Sequence, residues 1–191
     1  MTHDHAALLA RIADGDEDAI QALYDAYRLR LWRYLWSLLD GRADWIEEAL
    51  QDVFVAIWRG AGSYRSQARP ATWIYHIARN TAISLWRSRN RYSSMLGVSL
   101  DEMDEQREQP TPLWKSVTGE NAILDRLALD DALAQLSPKH REVIDLVFFH
   151  GFQQDEVAGI LGVPVGTVKS RLSYARQALL REMTREISHD Q

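Results

Sequence analysis

Apolar and polar residues repeat along most of this chain with the period of an amphipathic helix, and strand-like alternation is scarce. Segment 17–39 has apolar residues three or four positions apart, which predicts a long helix with one buried stripe. The residues of that stripe are Ile20, Leu23, Tyr27, Leu31, Tyr34, Leu35 and Leu38.

Two more helices are predicted before residue 92. The first opens at Asp44, a suitable N-cap because Glu47 follows three residues later. The second runs from about Pro70 to Arg89, with proline in its first turn, where a missing N–H costs little. The inward positions of the first are Ile46, Ala49, Leu50, Val53, Phe54 and Ile57. Those of the second are Ile74, Ile77, Ala78, Thr81 and Leu85.

The helical period is lost in segment 93–121, which is rich in Gly, Pro, Ser and acidic residues and is predicted to be a linker. Helices resume after it; Ser137-Pro138 marks one start, and Gly151 and Gly162 mark two ends. The sequence thus predicts an all-α fold. It consists of two small helical domains, residues 1–92 and 122–187, joined by an acidic linker at 93–121 and followed by a tail at 188–191.

The net charge of −5 is unevenly distributed. Residues 1–92 have net charge +1, residues 93–130 have −5, and residues 131–191 have −1. Two stretches contain no acid at all: residues 53–100 carry seven arginines, and residues 157–181 carry Lys169 and three arginines. Such local basic fields favour contacts with a polyanion. The alternative is that both are ordinary solvated helix faces.

The second acid-free stretch has the pattern of a helix-turn-helix. A short helix ends at Gly162, and a helix from Val165 to Arg181 follows the turn. The predicted buried seam of this second helix is Val165, Val168, Leu172, Ala175 and Leu179. Its other faces carry small, amide and cationic groups, which suit base edges and phosphates of duplex DNA. We refer to these residues as the duplex set: Gly166, Thr167, Lys169, Ser170, Arg171, Ser173, Tyr174, Arg176 and Gln177. The alternative is a helical hairpin with a basic face.

The helix from Pro70 to Arg89 and the loop before it interleave aromatic and cationic residues. Cations can follow a phosphate backbone while aromatic faces stack on bases, so this pattern favours unwound DNA. We refer to these residues as the single-strand set: Tyr64, Arg65, Trp73, His76, Arg79, Asn80, Trp86 and Arg87. The outward face of the helix is predicted to include Tyr75, His76, Arg79, Ile83, Trp86 and Arg87. The alternative is that Trp73 and Trp86 are core residues.

The helix from Asp44 to Arg59 exposes a different surface, acidic but with an outward Val and Trp. Such a surface favours contact with protein over contact with nucleic acid. We refer to it as the protein-contact set: Glu47, Glu48, Gln51, Asp52, Val55 and Trp58. The alternative is an ordinary solvated face.

Several function classes are disfavoured. The chain has no Cys, its histidines lack metal-ligand spacing, and His3 and His5 are expected in a mobile terminus. No phosphate loop, nucleophile elbow or catalytic dyad is present. We therefore expect no enzyme activity, metal, cofactor or small-molecule substrate. No signal peptide or apolar run of membrane-spanning length occurs, so a cytoplasmic location is expected.

Segments of both predicted domains resemble one protein family. "LSPKHREVIDLVFFHGFQQDEVAGILGVPVGTVKSRLSYARQAL" resembles region 4 of bacterial sigma factors of the extracytoplasmic-function (ECF, group 4) class. "GDEDAIQALYDAY", "EEALQDVFVAIW" and "YRSQARPATWIYHIARNTAISLWRSRNR" resemble successive parts of region 2. The chain departs from the family pattern at Gln153, where a Ser or Thr helix cap is usual, and at Ala49, where Leu is common. The first departure predicts a weaker helix start and the second a local packing change.

The resemblance implies a subunit that binds core RNA polymerase and directs it to promoter DNA. The protein-contact set would dock on the clamp helices of the largest polymerase subunit, and the C-terminal domain would meet the flap region. The single-strand set would open the −10 element, with the loop before Pro70 holding a flipped base, and the duplex set would read the −35 element. The acidic linker would mimic nucleic acid in the polymerase channel. An anti-sigma factor is an expected partner, and a membrane-anchored one would hold the chain near the inner membrane.

Two other functions remain open from the residues alone. A two-domain repressor or activator would bind its operator tightly without polymerase. A helical adaptor protein would bind no DNA, and it leaves both acid-free basic stretches unexplained. Transcription from promoters with purified core polymerase, with and without this chain, separates all three.

Overall fold

The computed structural model of this chain describes residues 4–89, 133 and 135–187, and every regular element in those ranges is helical. The N-terminal module contains α1 (His5–Ala13), α2 (Glu17–Leu38), α3 (Ala43–Gly60), a 3₁₀ turn (Ala61–Ser63) and α4 (Pro70–Arg89). The C-terminal module contains α5 (Pro138–Ile144), a π-helical segment (Asp145–Phe149), α6 (Gln154–Leu161) and α7 (Val165–Ile187). The predicted all-α fold class is confirmed. The predicted linker at 93–121 and the tail at 188–191 lie outside the described residues.

Helix α1 was not predicted. It buries Leu8, Leu9 and Ile12 against the rest of the module, and its first residue, His5, contacts α2. The Nδ1 atom of His5 lies 2.9 Å from the hydroxyl of Tyr27, and the two rings meet edge to face. The expectation that His5 belongs to a mobile terminus was therefore wrong, because a short apolar stripe anchors the segment. His3 lies outside the described residues.

The turn between α2 and α3 sets where α3 begins. Asp40 and Gly41 both have positive φ, 54° and 69°, and a Cβ on Gly41 would come within 3.1 Å of the Trp36 ring. Glycine is thus favoured at position 41 by both the backbone conformation and the limited space. Helix α3 then begins at Ala43 with Arg42 as N-cap. The prediction of Asp44 as N-cap was wrong, since the tight turn starts the helix earlier.

Burial within α2 and α3 follows the sequence pattern. All six predicted inward residues of α3 are buried, and the stripe of α2 is buried except for Ile20, which is partly exposed. Amphipathic helices packed on one side behave in this way, because the apolar stripe has one possible partner surface.

Helix α4 departs from the prediction because it is covered on two sides. Ile74, Ala78 and Leu85 are buried as expected, whereas Ile77 and Thr81, also predicted inward, are partly exposed. Tyr75 and Trp86, which were predicted to face outward, are buried. α2 and α3 pack on one side of α4, and α6 of the C-terminal module packs on another. The buried apolar residues of both modules consequently form one continuous core.

Among the described helices, none combines the length and apolar character that a bilayer-spanning helix requires.

Candidate nucleic-acid interface

Helices α6 and α7 form the predicted helix-turn-helix. α6 ends at Gly162, whose φ of 67° gives the left-handed conformation usual after a helix C-terminus. At the other end of α6 the carboxylate of Glu156 accepts a hydrogen bond from the backbone N–H of Gln153 at 2.9 Å. This helix start is therefore capped although Gln replaces the Ser or Thr usual at position 153.

The inner face of α7 closes the module. Val168, Leu172 and Ala175 are buried, and Leu179 is partly buried. Val165 was predicted to join this seam, but it is 38 % exposed. It is the first residue of α7 and lies in the exposed stretch Pro164–Gly166, before the seam begins.

The outer face of α7 presents the duplex set to solvent. Seven of its nine members are exposed, and Thr167 and Arg171 are partly exposed. Within the helix, the hydroxyl of Ser170 donates to the carbonyl of Thr167 at 3.0 Å. Within residues 157–181 there is no acid to offset Lys169 and Arg176. The face is therefore cationic at its edges and hydrogen-bonding at its centre, as duplex DNA requires.

The protein-contact set occupies the outer face of α3. Its members are exposed except for Glu48, which is partly buried in an ion pair with Arg89. Val55 and Trp58 are 45 % and 37 % exposed. Tyr24 of α2 extends this surface, because its ring packs on Phe54 of α3 with centroids 4.9 Å apart. Sequence reasoning missed Tyr24, since it lies on another helix.

The loop before α4 is fixed by its own polar groups. The hydroxyl of Tyr64 donates to the carbonyl of Ala68 at 2.6 Å, and Nη1 of Arg65 donates to the carbonyl of Gly62 at 2.8 Å. The rings of Tyr64 and Trp73 pack with centroids 5.6 Å apart. These contacts bring three members of the single-strand set together at the start of α4.

The later members of the single-strand set have different surroundings. Trp86 is only 7 % exposed, which agrees with the alternative that it is a core residue; Trp73 is partly exposed. Asn80 and Arg87 are exposed. The Nδ1 atom of His76 lies 3.1 Å from the carbonyl of Ile160, and the Nε2 atom of His76 lies 2.9 Å from Nδ2 of Asn80. Nδ1 of His76 must therefore carry a proton, and Nε2 accepts from Asn80.

Arg79 is paired with a carboxylate from the other module. Its Nε donates to Oε1 of Glu142 at 2.9 Å, and the hydroxyl of Tyr34 donates to the same oxygen at 2.9 Å. Sequence reasoning missed Glu142 and Tyr34, which the hydrophobic pattern treats as a surface acid and a core aromatic. Burial, with the nearby Glu142 carboxylate as a second cause, raises the pKa of Tyr34 well above its usual value, so its hydroxyl remains a donor.

Within the residues that the structure describes, no three His, Asp or Glu side chains are grouped as metal ligands.

Two family models match this chain. One, described as Sigma-70 region 2, matches residues 23–92, and the other, described as Sigma-70, region 4, matches residues 126–179. The chain is 38 % identical over 173 residues to the ECF RNA polymerase sigma factor SigL of Mycobacterium tuberculosis, covering 91 % of this chain and 93 % of the relative. It is 31 % identical over 179 residues to SigK of Mycobacterium sp. strain KMS, covering 90 % and 86 %.

Two solved structures are similar to this fold. The sigma factor RpoE of Bartonella quintana, in complex with the anti-sigma factor NepR, has a TM-score of 0.65 and 26 % identity over 86 % of this chain and 96 % of its own. CnrH, in complex with the cytosolic domain of CnrY, has a TM-score of 0.66 and 22 % identity over 96 % of this chain and 99 % of its own. The latter likeness concerns the fold alone.

Proposed function

The chain belongs to the sigma-70 family, in its extracytoplasmic-function group, and from this membership we propose that it is a dissociable, promoter-specific subunit of RNA polymerase. The observation that carries the proposal is the arrangement of α7. Its Val168, Leu172 and Ala175 are buried while its hydrogen-bonding and cationic residues face solvent, in the position of a recognition helix.

The duplex set reads the −35 element as double-stranded DNA. The N-terminus of α7 begins at Val165, and Gly166 is exposed there, so the backbone can approach a phosphate closely. Ser173, Tyr174 and Gln177 reach base edges, and Lys169, Arg171 and Arg176 contact phosphates.

The single-strand set opens the −10 element. Tyr64 and Trp73 form the aromatic part of the surface, beside the ordered loop that contains Arg65. Each stacked base contributes about 1–3 kcal/mol, which offsets part of the cost of separating the strands. Arg79, Asn80 and Arg87 follow the backbone of the unwound strand.

The protein-contact set docks on core polymerase, at the clamp helices of its largest subunit. An exposed Val55 and Trp58 within an acidic surface resemble the apolar centre and polar rim of a protein interface. The C-terminal module docks on the flap region. The acidic linker at 93–121 mimics nucleic acid in the polymerase channel; unchanged transcription across salt concentrations after its acids are neutralised would discard this role.

An anti-sigma factor holds the chain inactive when transcription from its promoters is not needed. Support comes from the similar RpoE of Bartonella quintana, which was solved with the anti-sigma factor NepR. A membrane-anchored anti-sigma factor would place the otherwise cytoplasmic chain near the inner membrane. The chain acts without catalysis, cofactor or small-molecule substrate, and its domain limits are residues 1–92 and 122–187.

Transcription from genomic DNA of the source organism, with its purified core polymerase, tests the function. Adding this chain should produce a small set of new transcript starts that share −35 and −10 sequences. Tight DNA binding without core, and no new starts, would favour a repressor or activator instead. Absence of any effect on DNA or polymerase would favour an adaptor.

A further inference from the structure

Part of the face of α4 assigned to the unwound strand is covered by the C-terminal module, while Asn80 and Arg87 stay exposed. Arg79, His76 and Tyr75 each have a polar contact with a residue of that module. We propose that this face has two mutually exclusive ligands, the unwound −10 strand and the C-terminal module of the same chain. The inference rests on the proposed function, because it concerns the regulation of the same DNA-binding face.

Glu142 is the central acceptor of this contact. It is only 9 % exposed, and its carboxylate accepts from Nε and Nη2 of Arg79 at 2.9 and 3.4 Å and from the Tyr34 hydroxyl at 2.9 Å. A carboxylate buried to this extent is stable only when donors surround it, and all of these donors belong to the N-terminal module. Arg79 thus holds Glu142 through the guanidinium fork that also suits a phosphate.

In the surrounding polar contacts, too, the carboxylates belong to the C-terminal module and the groups that face them belong to the N-terminal module. Glu156 accepts from Nη1 of Arg69 at 3.0 Å and lies 3.5 Å from Oγ1 of Thr72, and the hydroxyl of Ser37 donates to Asp145 at 3.0 Å. In each described arginine–carboxylate pair between the modules, the N-terminal module provides the cation and the C-terminal module the acid. The C-terminal module therefore presents to α4 the type of charge that DNA also presents.

An aromatic cluster completes the contact. His150 lies between Tyr34 and Tyr75, with ring centroids 5.7 and 5.1 Å away, and its Nδ1 is 2.9 Å from the Tyr75 hydroxyl. Phe152 packs edge to face on Tyr75 at 4.7 Å. Because these rings are buried together, the contact combines apolar burial with the charge pairs and is more than a surface salt bridge.

The two DNA-binding surfaces differ in accessibility. Ser170, Ser173 and Gln177 of the duplex set are exposed, whereas the side chain of Arg79 is 22 % exposed and paired. In this arrangement the chain presents its duplex-reading helix while the His76 and Arg79 part of the single-strand face is occupied. The C-terminal module must leave α4 before the −10 strand can bind there.

A reversible crosslink tests this competition. The side-chain oxygens of Ser37 and Asp145 are 3.0 Å apart across the contact, and the chain has no cysteine of its own. The double variant Ser37→Cys, Asp145→Cys should form a disulfide in the native chain, and each single variant should not. Oxidation should weaken binding of a short fluorescent random-sequence single-stranded DNA about tenfold or more and abolish transcription with core, and reductant should restore both.

A charge variant supplies a second measurement. Glu142→Gln retains the shape of the side chain and removes its charge, so it should raise affinity for the same DNA probe about tenfold. Asp155→Asn is the matched control, since Asp155 is an exposed acid of the same module; its affinity should equal that of the parent chain. Thermal melting checks that both variants fold. If Glu142→Gln does not fold, the crosslinking experiment alone tests the competition.

The results separate this inference from the proposed function. Failure of the disulfide to form in the native chain, or equal DNA binding by the oxidised and reduced chains, would overturn the competition while transcription by the reduced chain still upheld the function. If neither form bound the probe or supported transcription, the proposed function would fail and the competition with it.

Discussion

The imidazole of His140 is stacked on the ring of Tyr174, with centroids 4.4 Å apart and the planes inclined by 24°. The Nδ1 atom of His140 lies 2.7 Å from Oγ of Ser137, so the ring is held from the start of α5. Burial lowers the pKa of His140, and the nearby Lys139 and Arg171 lower it further, which favours the neutral ring at pH 7. Tyr174 of the duplex set is therefore oriented before any DNA arrives.

Replacing His140 by Ala should reduce discrimination at one position of the −35 element. An aromatic pair contributes about 0.5–1.5 kcal/mol, so the preference at the base contacted by Tyr174 should fall two- to tenfold. Holoenzyme binding to a set of single-base promoter variants measures this. Equal weakening on every sequence would mean that His140 supports only the fold of the module.

Lys169→Ala and Ser173→Ala should change DNA binding in different ways, because Lys169 is assigned to a phosphate and Ser173 to a base edge. Loss of one phosphate contact should lower the slope of log affinity against log salt by roughly one while the sequence preference is kept. Loss of a base contact should change the preference at one position by about 1–3 kcal/mol and leave the slope unaltered. Titrations of holoenzyme with promoter DNA at several salt concentrations distinguish these effects, and an identical response of both variants would contradict the division of the duplex set.

Trp58→Ala should weaken binding to core polymerase. A Trp that forms a hot spot of an interface contributes about 2 kcal/mol or more, which corresponds to about a thirtyfold loss of affinity. Fluorescence titration of the labelled chain with core measures the effect. Leu29→Ala is a suitable control, because Leu29 is an apolar residue on α2 that is 62 % exposed and lies outside the protein-contact set; an equal loss in both variants would argue against the assigned face.

Gly41→Ala should destabilise the N-terminal module more than Gly15→Ala. Both glycines have positive φ, so either substitution costs about 1–2 kcal/mol in backbone strain. At Gly41 the new methyl group would also lie 3.1 Å from the Trp36 ring, whereas nothing lies within 4 Å at Gly15. Chemical denaturation of the two variants gives the difference, and equal losses would show that the Trp36 ring moves aside freely.

Alkaline pH should destabilise the chain partly through Tyr27. Burial raises the pKa of Tyr27 from its usual 10.0 to about 12, so between these values the folded state retains a proton that the unfolded state has lost. The resulting stability is fully present below pH 10 and is lost as the pH rises through about 12. Tyr27→Phe should reduce the fall in melting temperature over this window. The exposed Tyr24→Phe serves as control, and equal falls in Tyr27→Phe and the parent chain would contradict this origin.

Much of the local structure was predictable because each helix repeats one rule over several turns. The six inward residues of α3 and the exposed Ser170, Ser173 and Gln177 of α7 follow directly from the helical period. The left-handed residue at Gly162 follows from its position after an apolar helix.

The periodic pattern failed where a helix has a second partner. Tyr75 and Trp86 lie beside the main stripe of α4 and were assigned to solvent, yet both are buried. Tyr75 packs on His150 and Phe152 of the C-terminal module. A wheel describes which residues share a face, but it contains no information about how many faces are covered. The prediction for Val165 was wrong in the opposite sense. Val165 has the position of a seam residue, but it lies in the first turn of α7, outside the core, and it is exposed.

By itself the sequence determined the helices, their inner faces, the two basic surfaces and the family, because these depend on neighbours a few positions apart or on whole motifs. Only the tertiary structure decided that Arg79 pairs with Glu142, 63 positions away, and that His150 enters a cluster with Tyr34 and Tyr75. Such contacts depend on the packing of one module against another. Their energy comes from desolvation and geometry in three dimensions, and neither quantity has a period along the chain.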